Sequence, residues 1–286
     1  RQVAAFVASM YDPLGLIAPI VITYKVFLQS LWQAGINWDT CITEELAPIW
    51  ENLRRQASSI QKIEINRQAV INGPLHHVEL HGFSDSSERA YGCCVYLKST
   101  NREGNTEIHL LCAKSRVAPV KTISLPRLEL CAAVLLARLM KNVQNVLDMT
   151  IDQVFYWTDS MIVLQWISVP PNKLKTFVGN RVSTIQHMTN TSDWHHVSSA
   201  NNPADLISRG VSPENLRTNN LWWNGPPFIS SHSMDPASVS NPLQKVNAED
   251  LLELKATKVT VLSTTSSNTP TILCKYSSLL KLQRVM

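Results

Sequence analysis

Four acidic residues stand at points where the pattern of the chain makes a carboxylate conspicuous. They are Asp85 in "HGFSDSS", Glu129 in "LPRLELCAAVLLARLM", Asp159 in "YWTDS" and Asp205 in "NPADLISRG". Asp85 closes a β-rich run, Asp159 is the hinge between a strand and a helix, and Asp205 opens a helical turn. In a mixed sheet the carboxyl ends of neighbouring strands converge on a crevice. Four carboxylates meeting there repel one another unless divalent cations neutralise them. An all-oxygen ligand set suits hard ions, Mg²⁺ or Mn²⁺. The chemistry open to such a set is metal-assisted.

Glu129 poses the sharpest question. It follows Leu125 by four residues and precedes Ala132 by three, so it falls on or beside the apolar stripe built by Leu125, Ala132, Leu136 and Leu139, with Leu128 and Leu135 alongside. An unpaired buried carboxylate is costly. Three readings fit: exposure at the edge of the core, a salt bridge to Arg127 or Arg138, or a metal.

The elements that would hold these groups follow from pattern. Ser124 is placed as an N-cap, and Pro126 sits in the first turn, where its missing N–H costs nothing. Before that helix, "HVELHGFSD", "AYGCCVYL" and "TEIHLLCAKSRV" read as three strands, the last two joined by a hairpin loop at "NREGNT". After it come a strand at "QVFYWTD", helices at "SMIVLQWI" and "NKLKTFVGNRVSTIQHM", a short strand at "DWHHV" and a helical turn that ends at Gly210. The order β-β-β-α-β-α-α-β-α predicts an α/β fold, a mixed sheet with helices packed on it. Upstream, breakers in "DPLGLIAP" precede helices over about 20–34 and 43–57. After about Asn219 the chain turns rich in Ser, Thr, Pro and Asn and reads as a linker or tail, with one short helix near Ala248–Lys255 and the start of another at "YSSLLKLQRVM".

Composition narrows the field. The 286 residues carry a net charge of +4, which permits a nucleic-acid partner without arguing for one. The six cysteines form no C-x-x-C pair, so they read as reduced, buried and intracellular rather than as a disulfide frame or zinc site. The pairs His76–His77 and His195–His196 lack further ligands at metal spacing. The apolar run from Leu14 to Leu28 is interrupted by Pro19, Thr23 and Lys25, which suits a core helix and not a membrane span. No D-[ST]-G peptidase motif occurs. The chain starts in mid-pattern without Met, as a piece of something longer would.

Taken in order, "VASMYDPLGLIAPI", "GINWD", "HGFSDSSERAYGCCVY", "LPRLELCAAVLLARL", "FYWTDSMIVLQWI", "FVGNRVSTIQ" and "HHVSSANNPADLISRG" resemble the ribonuclease H-like region of BEL/Pao LTR retrotransposon polyproteins, also catalogued through the Pao aspartic peptidase family. The resemblance implies a mixed five-stranded RNase H-like sheet with helices on both faces over residues 73–218. Residues 1–72 would be a helical segment resembling the connection from a reverse transcriptase, and 219–286 a linker toward an integrase. It implies hydrolysis of the RNA strand of RNA–DNA hybrids with two Mg²⁺ or Mn²⁺ ions about 4 Å apart. Asp85 would bridge both ions, Asp205 would complete the ion holding the attacking water, and Glu129 and Asp159 the other. The products would be a 5′-phosphate and a 3′-hydroxyl. Ser86, Ser87, Arg127 and Ser160 are candidate readers of the 2′-hydroxyls, with capping the competing role for Ser86 and Ser160. Lys173, Lys175 and Arg181 are candidate phosphate contacts, or else a solvated helix face. The implied setting is a cytoplasmic virus-like particle. Two family features are missing: a histidine in the loop before the last acidic residue, where His195 and His196 lie upstream on a strand, and the extra basic helix that grips hybrid in some relatives. A non-enzymatic remnant that acts as a structural or nucleic-acid-binding module is the alternative.

Overall fold

Val78 and Leu80 alternate with Glu79, His81 and Phe83, so the stretch after His77 forms a strand with both faces covered. In the computed structural model, which describes residues 1–230 and 253–255, this is β1 (Leu75–Ser86). β2 (Ala90–Asn101) returns antiparallel to β1, and β3 (Thr106–Val117) antiparallel to β2. Their hairpin closes at "NREGNT", where Asn101 Oδ1 accepts the N–H groups of Glu103 and Asn105, each at 3.0 Å. β4 (Gln153–Thr158) and β5 (Trp194–His196) join in parallel on the other side of β1. The five-stranded sheet runs β3-β2-β1-β4-β5. Parallel neighbours need crossovers, and helices supply them.

α4 (Leu125–Val146) lies on the way from β3 to β4, and α5 (Met161–Ser168) and α6 (Thr176–Met188) lie between β4 and β5; α1 (Gln2–Ala8), α2 (Ala18–Gln33) and α3 (Ala47–Ala57) precede β1, and α7 (Asp205–Arg209), α8 (Pro213–Arg217) and α9 (Asn220–Asn224) follow β5. Helices lie on both faces, as expected. On one face, Leu130, Ala133, Leu136 and Met140 of α4 share an apolar cluster with Leu80, Val95 and Leu97, which α5 and α6 extend through Trp166, Val178 and Val182. Leu125, expected on that stripe, is 42% exposed at the helix start. Ser124 holds the N-cap position without a capping bond from its side chain; its carbonyl accepts from Arg127 and Leu128.

The other face is covered by parts of the chain that composition set apart. Ala18, Ile20 and Tyr24 of α2 pack with Phe83, Cys94, Tyr96 and Trp157. The helical segment before residue 73 thus closes the sheet, and Arg1–Leu254 is one compact unit. A second unit, Lys255–Met286, has only Lys255 among the described residues. Residues 219–230, expected as the start of a linker or tail, are packed against the sheet. Trp222 and Ile229 are fully buried in this second cluster, Trp222 Nε1 donates to the Leu16 carbonyl at 2.9 Å, and Tyr96 Oη donates to the Trp222 carbonyl at 2.7 Å. Large aromatic burial outweighs the loop-like Pro, Gly and Asn around it. Of the helix expected near Ala248–Lys255, residues 248–252 lie outside the described residues, and Leu254 instead makes a β-bridge to Leu174. The helix expected at "YSSLLKLQRVM" lies outside them altogether, as does Cys274. The other five cysteines are free; Cys93, Cys94 and Cys112 are buried as expected, whereas Cys41 is exposed. Among the described residues no helix is long and apolar enough to cross a membrane.

Candidate active site

The register of the sheet brings Asp85 and Asp159 together. Ser84 pairs with Thr158 as the last pair of the parallel β1–β4 ladder, on strands about 4.8 Å apart, so the next residues are Asp85 on β1 and Asp159 just past the end of β4. Asp85 is 5% exposed and looks toward α7, where Ser208 Oγ donates to its Oδ2. Burial pushes the Asp85 carboxyl up to about 7, and the charges of Asp159 and Asp205 add to the rise; the bonds from Ser208 and from the Ser86 N–H oppose it. Asp159, half-buried just past β4, accepts from Ser199 Oγ at 2.8 Å through Oδ2. Its Oδ1 is buried and finds no hydrogen-bond partner among the described residues.

Glu129 reaches the same rim from α4. Burial raises its carboxyl above the usual range, the charge of Asp159 raises it further, and a hydrogen bond with Ser160 pulls it down. No salt bridge meets Glu129 among the described residues; Arg127 turns to Glu253. Asp205 opens α7, and its Oδ1 takes the Arg209 Nε at 2.6 Å, one helical turn on. The Arg209 guanidinium is held above its ordinary value chiefly by Asp205, with Asp85 and Asp159 contributing.

The four carboxylates therefore form a chain of like charges, Glu129 beside Asp159, Asp159 beside Asp85, and Asp85 beside Asp205. Among the described residues no three His, Cys, Asp or Glu side chains converge as a ready ligand cage. The donor set nevertheless fits hard cations: it is all oxygen, one carboxylate is driven toward its neutral form by burial with its acidic neighbours adding to the rise, and Asp159 Oδ1 is a buried acceptor with no donor among the described residues.

The other predicted residues divide into two groups. Ser86, buried beside Asp85, has an Oγ with no partner among the described residues. Ser160 caps α5 by accepting from the Val163 N–H at 3.2 Å, while also meeting Glu129. Ser87 Oγ donates to the Ser208 carbonyl at 2.6 Å and accepts from the N–H groups of Arg89 and Ala90, a turn-forming role. The basic residues gather elsewhere. Arg127 and Arg181 lie over the Phe177 ring, 5.0 and 3.5 Å from its centre, Lys175 precedes α6, and Lys173 is exposed on a 3₁₀ turn. His195 leans on Phe155 and Trp157, consistent with an ordinary strand pair, and burial lowers its pKa.

Four residues around the carboxylates had no part in the sequence reading: Ser199, Asn202, Ser208 and Arg209. Asn202, fully buried, donates to the Ser84 carbonyl at 3.1 Å and accepts the Ala204 N–H, tying the loop before Asp205 to the end of β1. The only signal for Ser208 and Arg209 is their spacing, three and four residues after Asp205.

A mixed β3-β2-β1-β4-β5 sheet with acidic groups at the ends of its two central strands, on a helix of one face and on a short helix of the other, is the ribonuclease H-like α/β class. Within that class the chain belongs to the Pao retrotransposon-like RNaseH-like domain family, whose model matches residues 1–160. The match contains Asp85, Glu129 and Asp159 and begins upstream of α2. Solved structures similar to this chain include RNase H1 of the archaeon Halobacterium salinarum, 14% identical over 46% of this chain and 94% of that one, TM-score 0.30. LC11-RNase H1 in complex with an RNA/DNA hybrid is 13% identical over 46% and 92%, TM-score 0.29. The N-terminal RNase H domain of a Mycobacterium tuberculosis protein is 10% identical over 46% and 93%, TM-score 0.29. A search of curated proteins finds no match.

Proposed function

We propose that the chain is a metal-dependent ribonuclease H that hydrolyses the RNA strand of RNA–DNA hybrids. The observation that carries the reading is the convergence of carboxylates at Asp85, which burial pushes up to about 7 and to which the charges of Asp159 and Asp205 add. Asp85, Glu129, Asp159 and Asp205 would hold the ions. Two Mg²⁺ or Mn²⁺ ions bound there would supply a water activated for in-line attack at phosphorus and charge to stabilise the leaving oxygen. The chain's own residues set the geometry: Ser208 orients Asp85, Ser199 orients Asp159, and Asn202 anchors the loop that carries Asp205. Ser86, whose hydroxyl has no partner among the described residues and stands next to Asp85, is suited to read a ribose 2′-hydroxyl. The reaction leaves a 5′-phosphate and a 3′-hydroxyl. Its setting is a retrotransposon polyprotein, between reverse transcriptase and integrase, in a cytoplasmic virus-like particle.

Cleavage of a labelled hybrid with Mg²⁺ or Mn²⁺, against a chelator control, tests this. Asp159→Asn removes one charge without opening a cavity, so cutting should fall to background while the thermal unfolding midpoint stays within a few degrees. A folded wild-type chain that leaves the hybrid intact at high concentration would overturn the nuclease reading. The second reading, an inactive nucleic-acid-binding module, is favoured by one observation: three of the carboxylates already engage Arg209, Ser208 or Ser199, and no cage of three ligands is formed among the described residues. Salt-sensitive hybrid binding without metal-dependent cutting would select it.

A further inference from the structure

Three basic residues at the starts of α4 and α6, Arg127, Lys175 and Arg181, are engaged by the chain itself. Arg127 Nε and Nη2 both point at Glu253 Oε1, at 3.0 and 2.9 Å. Lys175 Nζ stands 3.8 Å from Glu253 Oε2, and the Lys175 N–H donates to the Glu253 carbonyl at 2.8 Å. Leu254 completes the attachment through its bridge to Leu174. Behind the carboxylate, Phe177 carries Arg127 on one contact and Arg181 on another, which fixes both guanidiniums in place. The Glu253 side chain is 12% exposed, against 32% for Arg127 and 54% for Lys175. One carboxylate is thus drawn into a pocket of planar and point cations, the combination that suits a phosphodiester oxygen pair. The fit is imperfect: among the described residues Oε2 is buried and accepts no hydrogen bond, and Lys175 Nζ stands 3.8 Å from it. A contact that leaves one oxygen unsatisfied is poised to be displaced.

We propose that Glu253 occupies a subsite for a nucleic-acid backbone phosphate and is its intramolecular competitor, so that the segment at Glu253–Leu254 masks the subsite until a duplex displaces it. The subsite lies on the same first turns of α4 as Glu129, across the helix and so about 10 Å away, the reach of a neighbouring nucleotide. The proposal rests on the nuclease reading only for the identity of the ligand as nucleic acid.

The test is fluorescence-anisotropy binding of a labelled RNA–DNA hybrid to the full chain in chelator, where cleavage plays no part. Glu253→Gln should tighten binding roughly two- to fivefold, the range for release of one partly exposed ion pair. Adding Arg127→Ala to that variant should erase the gain. Unchanged or weaker binding by Glu253→Gln would overturn the proposal. Hydrogen exchange of the wild-type chain reads the same displacement without any substitution: saturating hybrid should speed exchange of the Lys175 amide, and slower or unaltered exchange there would count against it. Failure of the nuclease reading leaves both measurements standing, because neither depends on metal or turnover.

Discussion

Asp85 is the residue whose surroundings set the electrostatics of the rim. Its folded pKa, about 7, lies above the ordinary 3.8, so the folded chain holds a proton that the unfolded chain gives up. The stabilisation from that proton is complete below pH 3.8 and is lost as pH rises through about 7. Asp85→Asn removes the loss. In chelator the variant should melt a few degrees above wild type at pH 8, with a smaller gap at pH 5, measured by calorimetry. Mn²⁺ should raise the wild-type midpoint at pH 8 and leave Asp85→Asn nearly unmoved; equal shifts in both would exclude Asp85 as a ligand. The carboxylates themselves were legible because an acid at a strand end or on an apolar stripe is chemically out of place. Their partners were not. Ser208 lies 123 residues from Asp85, and Asn202 lies 118 residues from Ser84. A lone Ser or Asn has no pattern that announces so distant a contact.

The elements were easier to read than the partners, and one of them controls the last carboxylate. β1, β2 and β3 were visible as β-rich runs bounded by turn residues and α4 as a period-3.6 stripe, because each draws on its own stretch of chain for the residues it buries. α7 is only five residues long, too short for such a pattern, and its position is fixed from outside. Gly92, opposite Asp85 in the β1–β2 ladder, lets α7 approach: a Cβ there would stand 2.3 Å from Ile207 Cγ2 and 2.7 Å from the Lys114 carbonyl. On the far side Gly210, at φ +81°, ends α7 against α2, where a Cβ would lie 2.5 Å from the Thr23 methyl. Gly92→Ala should therefore push α7 off the sheet and carry Asp205 with it. We expect a stability loss of about 1–3 kcal/mol and, beyond that, loss of most of the Mn²⁺-dependent rise in melting temperature. A variant destabilised to that extent but with its metal response intact would show that α7 does not position a ligand.

At the scale of the whole molecule, the upstream helices and the sheet form a single folding unit. Composition drew a boundary near residue 72, since helical and β-rich stretches look different along the chain. Burial draws none: Ile20 and Tyr24 of α2 are 0% and 1% exposed, packed in one cluster with Phe83 and Tyr96 of the sheet and Ile207 of α7. The Val211 N–H donates to the Pro19 carbonyl at 3.0 Å, so the chain leaving α7 is pinned to the start of α2. Trp222, which composition assigned to a tail, bonds the Leu16 carbonyl just before α2 and seals the same face. A chain beginning at residue 73 would expose that face as a contiguous apolar patch, the kind of surface that drives association. It should aggregate or bind a hydrophobic dye and lack a single cooperative melt. Ile20→Ala in the full chain should cost about 2–5 kcal/mol, read by denaturant unfolding, and the loss should appear simultaneously in signals from the sheet and from α2. If the shortened chain instead melts cooperatively at the wild-type temperature, α2 is an appendage, and Asp205 owes its place to the sheet alone.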